Sequence, residues 1–82
     1  MSDSRTVFRY KTFRPAKIYP NDGRVIDVTV LDISTKGARL EATDPKQVPT
    51  DFFLIIQGSS ERFRCHVVWR KGTSIGVQYL YN

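Results

Sequence analysis

Short segments of alternating hydrophobic and polar residues run along nearly the whole chain, and this pattern restricts it to a β fold. No stretch keeps the period of an amphipathic helix over ten residues. The alternating segments are rich in Val, Ile, Thr and aromatic residues, and Gly, Pro, Asn and Asp separate them. They cover residues 16–19, 24–33, 38–42, 52–57, 62–70 and 75–79. Six strands in 82 residues predict one small all-β domain, a barrel or a sandwich, and a closed barrel would expose no sheet edge.

The fifth segment alternates most regularly and predicts a set of core side chains. Phe63, Cys65, Val67 and Trp69 fall on one face, so we expect Trp69 to be a core residue. His66 falls on the opposite face and is expected to be a surface residue. Because neighbouring strand residues point to opposite sides, Cys65 and His66 cannot act together as nucleophile and base.

Positive charge is concentrated at the start of the chain. Residues 1–17 carry five Lys and Arg against one Asp, a net +4, whereas residues 18–82 carry eight basic and seven acidic side chains, a net +1. We interpret residues 1–13 as a flexible basic N-terminal arm and residues 14–82 as the β domain. A basic arm favours an anionic partner, namely a nucleic acid, a nucleotide or a membrane surface; a solubilising tail is the alternative.

Other function classes lack the residues that they require. The sequence contains no G-x-S-x-G, H-E-x-x-H or phosphate-loop motif, and its acidic residues form no pair that spacing identifies as acid and base. We therefore predict no enzyme, no catalytic residue and no cofactor. One Cys and one His cannot supply the four ligands of a structural zinc site, so no metal is predicted. The absence of a signal peptide, of a membrane-spanning run and of a second Cys predicts a cytoplasmic protein.

Two short motifs stand out from this background. Arg5 and Arg9 form an R-x-x-x-R in the arm, and the sequence DISTKG at residues 32–37 forms a D-x-S-x-x-G at the end of the second strand. Alone, two arginines four residues apart occur often by chance. Alone, Asp and Ser ahead of a Gly make an ordinary turn whose side chains bond the local backbone.

Together and in this order, the two motifs resemble those of the PilZ domain, a bacterial receptor module for cyclic di-GMP. The 22 residues that separate Arg9 from Asp32 are a normal gap for that family. The stretch GRVIDVTVLDISTKGARLE resembles the family's strand–turn–strand core, and CHVVWRKGTSIGVQYL resembles its closing hairpin. The resemblance implies a six-stranded antiparallel β-barrel, here without a substantial C-terminal helix, which holds the nucleotide between the arm and the outer surface of the barrel.

The resemblance also implies which residues bind cyclic di-GMP: Arg5, Arg9, Asp32, Ser34 and Gly37. Arginine forks suit the O6 and N7 acceptors of guanine or a phosphate, and a carboxylate suits the N1–H and N2–H₂ donors of guanine. Gly37 is expected to permit a positive φ and a close backbone approach. Many family members have two adjacent arginines at the first motif position, where this chain has Thr6 after Arg5.

Several neighbours of the motifs have simpler expected roles. Phe8 and Tyr10 are expected to clip the arm onto the barrel, and Arg14 is expected to be a surface charge at the start of a strand. Lys36 and Arg39 are expected either to add positive charge near the turn or to be solvated.

These features predict a receptor that orders its arm on cyclic di-GMP and signals through an unidentified protein partner, in motility, exopolysaccharide or biofilm control. One alternative is a small β-barrel that binds nucleic acid; the nearly neutral body argues against it. The other is a PilZ-like module that binds proteins without a nucleotide; the intact motifs argue against it.

Overall fold

A computed structural model describes residues 10–80 of the chain. These residues form six strands and one short 3₁₀ helix. The strands alternate β-branched and aliphatic residues with polar ones, which suits a pleated, half-buried surface. Their bounds are β1 Tyr10–Tyr19, β2 Ile26–Ile33, β3 Gly37–Glu41, β4 Asp51–Ile56, β5 Phe63–Lys71 and β6 Ser74–Tyr79, with the 3₁₀ helix at Pro45–Gln47.

The strands close into one antiparallel barrel in the order β1-β2-β3-β6-β5-β4. Closure occurs where β1 pairs with β4, with Ala16 opposite Ile56 and Tyr19 opposite Phe53. Over the described part of the chain, the structure confirms the predicted all-β fold and the predicted six-stranded antiparallel barrel.

The inward side chains of the strands fill the barrel with one apolar core. Ile18, Leu40, Leu54 and Ile75 are fully buried, and each comes from a different strand. Burying a side chain of this size contributes about 1.5–3 kcal/mol, so these four residues are major contributors to stability. The core therefore fixes the end of β2, where the second motif lies, relative to the other strands.

The first strand is longer than the sequence indicated. It begins at Tyr10, whereas alternation predicted a strand only over residues 16–19. The predicted arm, residues 1–13, thus overlaps β1 in its last residues, and residues 1–9 lie outside the described residues.

A β-bulge explains why alternation missed the start of β1. Lys11 stands opposite Asp32, but the next pair is Arg14 opposite Val30, so two residues of β1 oppose one of β2. Phe13, one of those two, has a φ of 49° and is 66% exposed. A side chain at this φ costs roughly 1–2 kcal/mol, because its Cβ approaches the carbonyl oxygen.

We expect Phe13→Gly to stabilise the protein. Glycine adopts a positive φ without the Cβ clash, but it loses about 0.5–1 kcal/mol of chain entropy, so the net gain is about 0.5–1 kcal/mol. Urea unfolding measures the gain. Phe13→Ala is the matched control, because it removes the ring and keeps the strain. Equal stabilities for the two variants would show that the backbone at residue 13 is not strained.

Candidate functional site

A bulge in β2 brings Asp32 to the outer surface of the barrel. Val30 stands opposite Leu40 of the core, but the next pair is Asp32 opposite Arg39, which leaves Leu31 as an extra residue. If β2 were regular here, Leu31 would stand opposite Arg39, and Asp32 would share the inward face of Val30 and point into the core. Residues directly opposite on paired strands share a face, so the bulge places Asp32 on the face of Arg39.

Asp32 and Arg39 form the best-defined polar contact of this surface. The Nε–H group of Arg39 donates a hydrogen bond to Oδ2 of Asp32 at 2.9 Å. The carboxylate side chain is 6% exposed, whereas the guanidinium side chain is 39% exposed. Burying a carboxylate is unfavourable unless a hydrogen-bonding cation compensates, and Arg39 supplies that cation.

Ser34 closes the turn that follows Asp32. Its hydroxyl accepts hydrogen bonds from the backbone N–H groups of Lys36 and Gly37, each at 3.2 Å, and donates to the carbonyl of Gly37 at 3.3 Å. A hydroxyl has one donor and two acceptor sites, so these three bonds use its full capacity. A ligand that bonds Ser34 must therefore replace one of the turn's own hydrogen bonds.

Gly37 has a different role from the one expected. Its φ is not positive, so it does not supply the left-handed turn conformation that the sequence suggested. A Cβ at this position would collide with the carbonyl oxygen of Val77 and lie 3.0 Å from its carbonyl carbon. Glycine is needed here because β3 and β6 approach each other at the turn.

Trp69 lies on the outer surface, so its expected place in the core is wrong. Val67 pairs with Val77 and Trp69 pairs with Gly76, which makes Val68 an extra residue of β5. This bulge turns Trp69 to the outer face, where it is 42% exposed. The indole covers Gly76, since a Cβ there would collide with the indole nitrogen and lie 2.7 Å from Cδ1.

Ser34, Gly37, Arg39 and Trp69 line one groove on the outside of β3, β5 and β6, and Asp32 contacts its wall through Arg39. The groove has a volume of about 480 Å³ and combines the indole with two cationic side chains and the polar atoms of the turn. Its lining residues are Ser34, Lys36, Gly37, Ala38, Arg39, Val68, Trp69, Gly76, Val77 and Gln78. A flat aromatic surface beside guanidinium and ammonium groups suits a planar, anionic ligand.

One strand, β2, separates the start of β1 from this groove. Tyr10 stands opposite Ile33 of β2, and Lys11 stands opposite Asp32, whose partner on β3 is the groove residue Arg39. The predicted ligands Arg5 and Arg9 lie outside the described residues, as do Thr6 and Phe8.

Cys65 and His66 occupy the surroundings that the alternation of β5 predicted. Cys65 is fully buried, and burial raises the pKa of its thiol to about 12, so the thiol stays protonated and inert at neutral pH. His66 lies on the outer face, where its Nδ1 is 2.9 Å from Oδ1 of Asp51. Both therefore act as strand residues, one in the core and one at the surface.

A second, larger concavity lies away from the two motifs. It has a volume of about 820 Å³ and is lined mainly by β1, β2 and β4. The ion pair between Lys17 and Asp27 lies in its wall, and no residue of the second motif lines it. Size alone therefore does not identify the functional site of this barrel.

The described residues contain neither a metal-binding cluster nor a membrane-spanning helix. Between residues 10 and 80, no group of three or more His, Cys, Asp and Glu side chains could hold a metal ion. No helix in the same part of the chain has the length and apolar character needed to cross a membrane.

Sequence reasoning missed Trp69 and left the role of Arg39 undecided. One signal for Trp69 was present: a glycine inside a strand, such as Gly76, often marks the close approach of another group. The contact between Arg39 and Asp32 had no comparable signal, because it depends on the register of two strands.

Comparison with known proteins gives one family and one fold. Residues 3–82 match the family model described as "PilZ domain". The crystal structure of an uncharacterised Legionella protein, Lpg0364, superposes with a TM-score of 0.64 at 16% sequence identity. The match covers 90% of this chain and 77% of the Legionella chain, and at this identity it shows a shared fold. No curated protein matches the chain.

Proposed function

The chain belongs to the PilZ domain family, a family of cyclic di-GMP receptors, and we propose that it binds cyclic di-GMP in the groove between β3, β5 and β6. PilZ domains are binding modules rather than enzymes. The proposed ligand residues are Arg5, Arg9, Asp32, Ser34 and Gly37, with Trp69 added from the structure.

The observation that carries the proposal is the register of β1 on β2. Lys11 stands opposite Asp32, so the chain enters β1 beside the turn that holds the second motif. The first motif directly precedes β1 in the sequence, and the described start of β1 borders the same end of the barrel as the second motif. A ligand that contacts both sides can therefore link residues 5–9 to the groove.

The chemistry of the groove supports a guanine nucleotide. A carboxylate such as that of Asp32 accepts hydrogen bonds from the N1–H and N2–H₂ groups of guanine. The indole of Trp69 offers a surface for base stacking, which contributes about 1–3 kcal/mol per base. Arginine forks bind phosphate or the O6 and N7 acceptors of guanine, and Arg5 and Arg9 would supply them.

The proposed role of Gly37 depends on its backbone. Because it has no side chain, β3 and β6 can approach each other closely where they form the groove. Ser34 closes the turn. To bond the ligand, its hydroxyl would give up one of its local hydrogen bonds, most readily the 3.3 Å bond to the carbonyl of Gly37. Both residues would then shape the site as much as contact the ligand.

The proposed mode of action is ligand-dependent ordering of the arm. Bound nucleotide would fix residues 5–9 against the groove and create a surface that a protein partner recognises. The partner, the cytoplasmic location and the process, whether motility, exopolysaccharide or biofilm control, are parts of this proposal that come from the family resemblance.

Isothermal titration calorimetry with cyclic di-GMP tests the proposal. We expect saturable binding by the wild type and losses of about 1.5–3 kcal/mol, roughly 10- to 150-fold, in Arg9→Ala and Asp32→Ala, because each removes a charged hydrogen-bonding group. Lys46→Ala, a change in the exposed 3₁₀ segment, is the control and should bind as the wild type does.

GTP and a short single-stranded oligonucleotide complete the experiment. Tight binding of the oligonucleotide, with a steep salt dependence and no preference for cyclic di-GMP, would favour the nucleic-acid alternative. No heat from cyclic di-GMP, at concentrations far above that of the protein, would contradict the proposal. We would then favour the alternative in which the protein is a PilZ-like module that binds other proteins without a nucleotide.

A further inference from the structure

We propose that Arg39 is a positioning residue that makes the site select guanine over adenine. It would act through Asp32, by holding the carboxylate in one orientation. This inference rests on the proposed function, because it concerns how the same groove distinguishes two cyclic dinucleotides.

The contact between Arg39 and Asp32 is suited to this task. The two residues are paired across β2 and β3, and the bond from Nε to Oδ2 is 2.9 Å long. The carboxylate is almost completely buried, whereas the guanidinium lines the groove and is partly exposed. Arg39 therefore connects the buried acceptor to the wall of the groove.

The orientation of the carboxylate decides how well it matches guanine. A carboxylate offers only acceptors, and guanine presents two donors on its N1–H and N2–H₂ edge. Adenine presents an acceptor at N1, to which a carboxylate makes no hydrogen bond. Removing Arg39 lets the carboxylate of Asp32 take other orientations, so the hydrogen bonds to guanine weaken while the binding of adenine changes little.

Lys36 provides a matched comparison on the same groove. Its side chain is exposed and lines the groove, whereas the ion pair with Asp32 is made by Arg39. A cation that acts only through the phosphates would attract both dinucleotides equally, because their phosphates are identical.

The test measures the affinities of cyclic di-GMP and cyclic di-AMP for the wild type, Arg39→Ala, Arg39→Lys and Lys36→Ala. In Arg39→Ala we expect cyclic di-GMP to bind about 10- to 100-fold more weakly while cyclic di-AMP changes little, so that the preference for guanine falls by the same factor. Arg39→Lys should recover part of the preference, since it keeps the charge. Lys36→Ala should weaken both ligands by the same factor and leave the preference unchanged.

An equal loss of both ligands in Arg39→Ala would overturn the inference, because Arg39 would then be a general phosphate cation. Unchanged binding of both would overturn it as well. If the wild type binds neither dinucleotide, the proposed function itself fails, and the wild-type titration shows this before any variant is compared.

A measurement without nucleotide tests the contact itself. In ¹⁵N-edited NMR spectra, the Nε–H signal of Arg39 should be shifted and protected from exchange in the wild type, and it should lose both properties in Asp32→Ala. Identical Arg39 signals in the two proteins would show that no such bond exists in solution and would overturn the inference independently. Circular dichroism melting of each variant verifies that the barrel remains folded.

Discussion

Gly37→Ala is expected to lower the melting temperature by roughly 12–24 °C. The added methyl group would collide with the backbone carbonyl of Val77, which belongs to the β3–β6 ladder and cannot rotate away as a side chain could. Overpacking of this kind lowers the free energy of unfolding by about 3 kcal/mol. Each kcal/mol lowers the melting temperature by about 4–8 °C in a domain of this size. Differential scanning calorimetry measures the shift.

Gly23→Ala is the control for this prediction. Gly23 has a φ of 88°, and nothing lies within 4 Å of a Cβ built there. Its substitution should therefore cost only the conformational penalty of about 1–2 kcal/mol. If Gly37→Ala were no more destabilising than Gly23→Ala, the close approach of β3 and β6 would be relaxed in solution.

The outcome also bears on the meaning of the second motif. A large loss of stability would show that the motif's glycine is required by the barrel before any ligand is bound. Binding experiments on Gly37→Ala should accordingly be made well below its melting temperature, where loss of affinity and loss of fold are separable.

The second large effect is expected at Trp69. Trp69→Ala should weaken cyclic di-GMP binding by about 5- to 150-fold, which corresponds to the stacking contribution of about 1–3 kcal/mol per base. Gly76→Ala should have a similar effect, because its methyl group would displace the indole from the position where it covers Gly76. The double variant should bind about as weakly as either single one, since both changes remove the same surface.

Fluorescence and calorimetry together test this prediction. Trp69 is the only tryptophan of the chain, so the emission of Gly76→Ala reports directly on the displaced indole. Val25→Ala is the control: Val25 is an exposed hydrophobic residue that does not line the groove. Wild-type affinity in both Trp69→Ala and Gly76→Ala would exclude a stacking role for the indole.

Local pattern was sufficient to predict the strands. Alternation predicted strands at residues 24–33 and 52–57, and the structure has them at Ile26–Ile33 and Asp51–Ile56. The agreement has a simple cause: a half-buried strand must alternate along its own sequence. The exception is the start of β1, where the bulge at Phe13 interrupts the alternation.

The two motifs were also visible in the sequence, and the family match over residues 3–82 confirms the resemblance that they indicated. The sequence further placed Cys65 in the core and His66 at the surface, since neighbouring strand residues face opposite sides. What it indicated about Arg5 and Arg9 stays a prediction, because both lie outside the described residues.

The sequence by itself determined the six strands, the buried face of each regular segment and the family. Only the tertiary structure decided which side chains meet in the groove. The extra residues Leu31 and Val68 are defined by the partner strands that they oppose, and no local pattern records a partner's register. These two bulges turn Asp32 and Trp69 outward, and the approach of two strands explains Gly37. The site is therefore a property of strand pairing, whereas the strands are a property of the sequence.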